Sequence, residues 1–348
     1  MQDQNTDENV YGKLKEVLQT NKGSSMMQQI NQGHIHRSYR FDLERGSYFV
    51  QQINDLVFPD VYPLMAQMQK VTATLSDYYG EGHYETLDLL LTNDGVPFLE
   101  WQGQYWRIFR FKDHLKGFER LLSRQMLRSA AKAYASFVGG LTNLDLQSAF
   151  EPIMQFHDIS YRLMQLQDAK WKNPELATTL SLEIMAIDEL IVIISPLTVA
   201  LQSGELPVRM VHNDTKINNL LFDESQEARC VVDLDTVMPG SVVYDVGDAL
   251  RTICSNLPED APLVDQLIID EEAADIFIDA YQIEAGWLEE GERKWLRLSP
   301  VYMSLIMGVR FLTDYFQGDV YFHTARTGHN LDRARNQIKL AQLFADRT

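Results

Sequence analysis

Alternating apolar and polar positions mark the first third of the chain, and helical spacing marks most of the rest. A polar, acidic start leads into one weakly amphipathic helix predicted near 11–18. From Met27 to about residue 54 apolar and polar residues alternate across a turn at Glu44-Arg45-Gly46, the pattern of paired strands. Over 58–79 the apolar residues Val61, Leu64, Met65, Met68, Val71 and Leu75 recur every three or four positions, which predicts an amphipathic helix. Strands are predicted over 86–92 and 97–111, joined at Asn93-Asp94-Gly95, whose Asp-Gly pair favours a hairpin. Long helices follow over 115–141 and 174–201, the second interrupted near Pro196. Leu220-Leu221-Phe222 and Cys230-Val231-Val232 read as two strands of a hairpin turning at Asp223 to Glu227, which carries Asp233 back beside Asn219.

Size and charge narrow the picture. A chain of 348 residues allows two lobes and a sizeable core. Its formal net charge of -18 argues against nucleic acid or an anionic membrane surface as a partner, since both demand basic patches. The start MQDQNTDENV does not have the form of a signal peptide, and the most apolar stretch, 190–201, is too short to span a bilayer and contains Pro196. A cytoplasmic location with access to ATP is the resulting expectation. Cys230 and Cys254, without metal-type spacing, read as buried free thiols.

Candidate chemistry concentrates in 208–251, around His212-Asn213-Asp214, Asn219 and Asp233. Phosphoryl transfer needs a carboxylate at the acceptor hydroxyl, and an amide and a second carboxylate to hold Mg²⁺. Asp214 as catalytic base, with Asn219 and Asp233 as metal ligands, fills those roles in that order. Two hard oxygen ligands suit an octahedral Mg²⁺ that completes its shell with water and nucleotide phosphate. Turn formation alone would account for Asp and Asn at these places, but not for this order of acid, amide and acid. Asp235 is a further candidate for a second Mg²⁺, while Asp248 reads as a helix-start carboxylate.

HNDTKINNLLFD followed by VVDLDTVMPGSVVYDVGDALR resembles the aminoglycoside phosphotransferase and choline kinase superfamily, most closely its N-acetylhexosamine 1-kinase branch. The resemblance implies an α+β, two-lobed protein-kinase-like fold. Residues 1–111 would form a small β-rich nucleotide-binding lobe and 112–348 a larger, mainly helical lobe holding catalyst and acceptor. It implies ATP and Mg²⁺ as cofactors and phosphorylation of the anomeric hydroxyl of an N-acetylhexosamine. The alternatives are another small hydroxyl acceptor, such as an aminoglycoside, choline or a different sugar, and a nucleotide-binding pseudokinase scaffold.

In the first lobe the kinase pattern is incomplete. Gly33 is the one loop glycine at the expected place, and the strand that should carry a phosphate-binding lysine has Gln51 and Gln52 instead. Gln51 is the candidate facing the phosphates, since Gln52 points to the opposite face. A neutral amide there must recruit help from elsewhere. Arg110, Phe111 and Lys112 end the last strand where backbone groups of kinases meet adenine. His34, beside the loop glycine, is a candidate for reaching the acceptor, or is an ordinary strand histidine, as His36 is.

The acceptor is expected near the C-terminus. Arg310 and Asp314 lie four apart on one helical face inside an apolar segment, either as a structural ion pair or as partners for a polyhydroxylated ring. Tyr321, with Tyr315 and Phe322, would supply an apolar wall for a sugar face. The phrase GVRFLTDYFQGDVYF resembles the hexosamine 1-kinase branch, which implies an acceptor site here. Asp158 reads as a helix cap.

Overall fold

A computed structural model describes residues 2–18, 26–30 and 35–348 of the chain. It is a mixed α+β structure whose contacts divide it into two compact units, Met1–Lys116 and Gly117–Thr348. Gly33 and His34 lie outside the described residues.

The first unit is an antiparallel sheet of β1 (Met26–Ile30), β2 (Arg37–Leu43), β3 (Gly46–Gln52), β4 (Leu99–Trp101) and β5 (Gln104–Arg110), ordered β1-β2-β3-β5-β4. Period-2 alternation gives this sheet two different faces. Tyr39, Phe41, Tyr48, Val50, Trp106 and Ile108 bury one face against Val10 and Leu14 of α1 (Gln2–Val17). The residues between them, among them Gln51 and Arg107, face the other way, where Met68 of α2 (Val61–Tyr79) reaches Arg107. Helix α2 buries Val61, Leu64, Met65, Met68, Val71 and Leu75, the apolar stripe that predicts it.

One hairpin differs from expectation. The tight turn between paired strands sits at Gln102-Gly103, both with positive φ (52° and 75°), and not at Asn93-Asp94-Gly95. Gly95 does turn the chain, its N–H donating to Thr92 O at 2.9 Å. The segment before it pairs only through an isolated bridge of Leu89 with Phe109, so the Asp-Gly signal marks a loop without flanking strands.

After the two-residue strand β6 (Lys116–Gly117), the second unit carries helices α3 (Arg124–Gly140), α4 (Ile159–Lys172), α5 (Pro174–Thr179) and α6 (Ser181–Gln202). Short strands β7 (Arg209–Val211), β8 (Leu220–Phe222), β9 (Ala228–Val231) and β10 (Met238–Gly240) follow. Then come α7 (Val242–Ile253), α8 (Glu271–Glu284), α9 (Glu290–Arg293), α10 (Ser299–Gln317) and α11 (His329–Ala345). Helix α3 starts at 124 instead of 115 because the Ser123 hydroxyl caps it there, accepting the Met126 N–H at 3.2 Å. Helix α6 runs unbroken through Pro196, against expectation: buried Leu190, Ile194, Leu197 and Ala200 anchor one face on both sides of the proline. At 22 residues it is long and apolar enough to cross a membrane by length and composition, with 28% of its most apolar window buried.

Helix α10 is buried almost from end to end and packs against α4, α6, α7 and α11. Its crossing with α7 is close enough to demand glycine: a Cβ on Gly247 would meet Ser299 O and come within 2.6 Å of Met303 Cγ. That crossing sets α7, with Asp245 and Asp248, against α10, with Arg310 and Asp314. Gly247→Ala is therefore expected to destabilise the protein by about 1–3 kcal/mol, read as a lowered Tm. Gly286→Ala, where a Cβ meets nothing within 4 Å, is the matched control.

Candidate active site

Strand β7 delivers the chain into His212-Asn213-Asp214, and this turn is tied down from several elements. The Asp245 carboxylate on α7 accepts the backbone N–H of His212 at 2.9 Å and of Asn213 at 2.7 Å. Asn213 adopts a left-handed φ of 64°, which Asn tolerates better than most residues, and its Nδ2 donates to Thr236 O at 3.0 Å. His212 donates from Nε2 to Val232 O at 2.9 Å and accepts the Asp214 N–H on Nδ1 at 3.3 Å. The Tyr134 hydroxyl of α3 donates to Lys216 O at 2.7 Å. Burial raises the Asp245 carboxyl to about 6, against the pull of His212 and the two backbone donors.

Asp214 and Asn219 are brought together. Asn219 Nδ2 donates to Asp214 O at 2.8 Å and to Asp214 Oδ2 at 3.1 Å, while Lys216 Nζ sits 2.8 Å from Asp214 Oδ1. Burial alone would raise the Asp214 carboxyl; the Lys216 ammonium, by charge and direct hydrogen bond, outweighs it and holds the group below the ordinary carboxylate range. The hairpin of β8 and β9 ends with the Val232 N–H donating to Asn219 O at 3.0 Å, which sets Asp233 next to Asn219 along the chain path. Asp233 is exposed and left-handed, with φ 61° and ψ 62°. Because Asn219 spends both amide hydrogens on Asp214, its amide oxygen remains as a hard donor. With the Asp233 carboxylate it fits Mg²⁺ that takes its other ligands from phosphate and water. Among the described residues no group of three His, Cys, Asp or Glu is arranged to hold a metal by itself.

On the other side of the loop stands His157, whose Nε2–H donates to Asn213 O at 2.9 Å. Burial drives its pKa down to about 3; the Asn213 carbonyl pulls upward, and Arg310 and Arg162 push further down. Asp158 caps α4, accepting the N–H of Ser160 and Tyr161. Arg162 on α4 donates to Phe156 O at 3.0 and 3.2 Å; burial, then the charge of Arg310, lowers it to about 10.

Arg310 is buried in an aromatic frame, its guanidinium 4.7 Å from the Phe156 ring, 5.3 Å from Phe322 and 5.7 Å from Tyr321. Burial lowers its pKa, with hydrogen bonding to Tyr321 opposing. Among the described residues no carboxylate pairs with Arg310, and the ion pair with Asp314 offered as one reading of the sequence is not made. Asp314 instead accepts the backbone N–H of Val320, Tyr321 and Phe322 and the Asn330 amide, all at 2.8–2.9 Å. It shapes the loop that carries Tyr321, and four donors leave its carboxylate committed.

Gln51, in the first unit, accepts Arg107 Nε–H at 2.9 Å and donates to Ser38 Oγ at 3.0 Å. The other nucleotide candidates there lie apart from it. Arg110 shares the opposite sheet face, its guanidinium 6.0 Å from the Tyr48 ring, and its N–H donates to Asp88 O; the Phe111 N–H donates to Ser47 O. Lys112 is engaged by Glu85 at 3.0 Å and Asp88 at 3.3 Å. His36 accepts the Asn54 N–H and stacks on Phe58, as a strand histidine would. The sequence gives no chemical role to Lys216, His157, Arg162 or Arg107. Lys216 was within reach, two residues beyond Asp214, whereas the others acquire their positions only through tertiary packing.

A model of the phosphotransferase enzyme family matches residues 27–292. Among solved structures, an aminoglycoside phosphotransferase from Alicyclobacillus acidocaldarius is 12% identical, covering 96% of this chain and 94% of that one with a TM-score of 0.66. A spectinomycin phosphotransferase in complex with ADP and spectinomycin is 13% identical over 97% of this chain and 98% of its own, with a TM-score of 0.61. A microcompartment-associated aminopropanol kinase is 13% identical over 95% and 94%, with a TM-score of 0.58. At these identities the likeness is one of fold.

Two titrations follow from the geometry. Lys216→Met removes the charge that lowers the Asp214 carboxyl, so that carboxyl is expected to titrate at higher pH in carboxyl-carbon NMR. His157 binds a proton in the unfolded chain below about 6.5 but in the native state only near 3, so native stability falls as pH drops through that window. In denaturant titrations His157→Gln is expected to make the acid slope shallower by about 1.4 kcal/mol per pH unit.

Proposed function

Since the chain belongs to the phosphotransferase enzyme family, we propose that it transfers the γ-phosphoryl group of ATP to the anomeric hydroxyl of an N-acetylhexosamine, yielding the sugar 1-phosphate. The small β-rich lobe, 1–111, contributes to nucleotide binding, and 112–348 supplies catalyst and acceptor site. Asp214, kept ionised by Lys216, orients the acceptor hydroxyl and takes its proton on a carboxylate oxygen. The hydroxyl oxygen then bonds to the γ-phosphorus as the bond to the β,γ-bridging oxygen breaks, and ADP leaves with that electron pair. Asn219 and Asp233 would hold Mg²⁺, which when bound neutralises phosphate charge.

The choice of acceptor rests on one observation, the buried Arg310 guanidinium in its ring of Phe156, Tyr321 and Phe322 with no carboxylate partner among the described residues. A cationic acceptor such as an aminoglycoside, choline or an amino alcohol would meet repulsion there. Hydroxyl and amide oxygens of a neutral sugar would accept from the guanidinium, and the rings would cover a sugar face. Asp314 serves this site by fixing the loop of Tyr321.

Coupled ADP release with Mg-ATP against N-acetylglucosamine, N-acetylgalactosamine, choline and kanamycin, with ³¹P NMR of products, tests the reading. Turnover confined to the amino sugars with an anomeric phosphate is expected. Asp214→Asn is expected to keep Mg-ATP binding in calorimetry while losing about 10² to 10⁴ in kcat. Turnover with choline or kanamycin and none with sugars overturns the acceptor assignment, and ATP binding without any turnover favours a scaffold.

A further inference from the structure

Helix α6 carries two apolar stripes, where a surface helix of a globular protein needs one. Ile187, Leu190, Ile194 and Leu197 form the first; they are buried, and the helix packs on α10 and α11. The second runs along the other side, where Leu182, Met185, Glu189, Val192, Pro196 and Val199 are all exposed. Leu182, Val192, Val199 and Met185 stand 76%, 73%, 61% and 57% open. Steps along this stripe alternate between three and four residues, the period of a seam that packs against another helix. Beside it, a groove of about 390 Å³ between α4 and α6 is lined by Leu163, Met164, Ile184 and Ile191. Met164 and, two turns further along the same side of α4, Trp171 are 60% and 78% exposed and widen the apolar surface.

Area, charge and symmetry select what covers this surface. The apolar side chains of the stripe, with Met164 and Trp171, expose roughly 900 Å², more than the largest patch of a typical monomer, about 300–600 Å², and near the about 800 Å² that each partner buries in a standard interface. Helices that lie on a bilayer set Lys and Arg beside their apolar face, whereas α6 has neither and carries Glu183, Asp188 and Glu189. Crossing a bilayer would strip its buried stripe from the bundle. A second copy fits instead. An isologous contact uses the same surface on both subunits, so an antiparallel pair of identical helices needs a seam that reads alike in both directions. This one does, with steps of three, four, three, four and three from Leu182 to Val199. Leu182 then faces Val199 of the second copy, Met185 faces Pro196, and Glu189 faces Val192. Glu189, next to the two-fold axis, is the one charged position of the seam, the kind of residue that fixes register at some cost in stability.

We propose that the chain forms a two-fold dimer through this stripe, α6 packing antiparallel on α6 of a second copy with Glu189 opposite Val192 across the axis. The assignment is independent of the kinase reading. Sedimentation velocity of the full-length protein over a range of concentrations tests it, with circular dichroism to check folding. Wild type is expected to pass from monomer to dimer as concentration rises. Val192→Glu sets four carboxylates about the axis and is expected to weaken the dimer by about tenfold or more. Val192→Lys instead meets Glu189 of the second copy, and its dissociation constant is expected to stay within about threefold of wild type. Loss of apolar area alone would not separate these two substitutions. If Val192→Glu does not fold, Glu189→Leu carries the test, with the dimer expected to tighten by about threefold or more. A wild type that stays monomeric throughout, a folded Val192→Glu that dimerises as wild type does, equal weakening by Val192→Glu and Val192→Lys, or a Glu189→Leu that does not tighten the dimer overturns the assignment. Binding of wild type to phosphatidylcholine vesicles that Val192→Glu abolishes, with no dimer in solution, also overturns it and gives the stripe to a membrane.

Discussion

The Asp245 carboxylate holds the backbone of His212 and Asn213 by two short hydrogen bonds, and the geometry of the loop 212–219 hangs on that grip. A turn with a left-handed asparagine has no helix or sheet to satisfy its N–H groups, so a side chain must do it. Asp245 can serve only because α7 is pressed onto α10 at Gly247, which fixes where the helix, and so the carboxylate, stands. Burial opposes its charge, and the loop's own donors offset that opposition. Loop, helix and helix crossing therefore form one mechanical unit, and α10 passes the constraint on to Arg310 and the loop tied by Asp314.

Two sides of this loop are set by different forces. Toward Asn219 and Asp233 the contacts are polar and partly open, suited to a hydrated metal and a charged nucleotide. Toward His157 and Arg310 they are buried and aromatic, with a histidine kept neutral and an arginine among rings. An acceptor entering that side would lose its water and have to find its donors in place. A nucleotide would keep much of its own.

Legibility in the sequence followed the range of the interactions. Asp214, Asn219 and Asp233 could be picked out because their chemistry demands an order and spacing within one loop and one hairpin, both local objects. The strands of the first sheet and the stripe of α2 were equally local, and alternation or helical period revealed them. Asn93-Asp94-Gly95 misled because a turn signal says nothing about whether its flanks find partners; the paired turn formed at Gln102-Gly103. Asp314 misled because helical spacing placed it beside Arg310, whereas three backbone donors of a following loop claim it. The hold of His157 on Asn213 was not legible for a related reason: tertiary docking confers it, and nearby residues do not write it.

The left-handed backbone at Asp233 narrows what evolution can do there. Among residues with a side chain, asparagine and aspartate enter that conformation more readily than most, and of the two only aspartate carries a charge. Glutamate, the usual conservative exchange for a carboxylate, would bring the right group on a less favoured backbone. Under the proposed role of Asp233 as a metal ligand, the main chain and the need for a charge would favour the same residue.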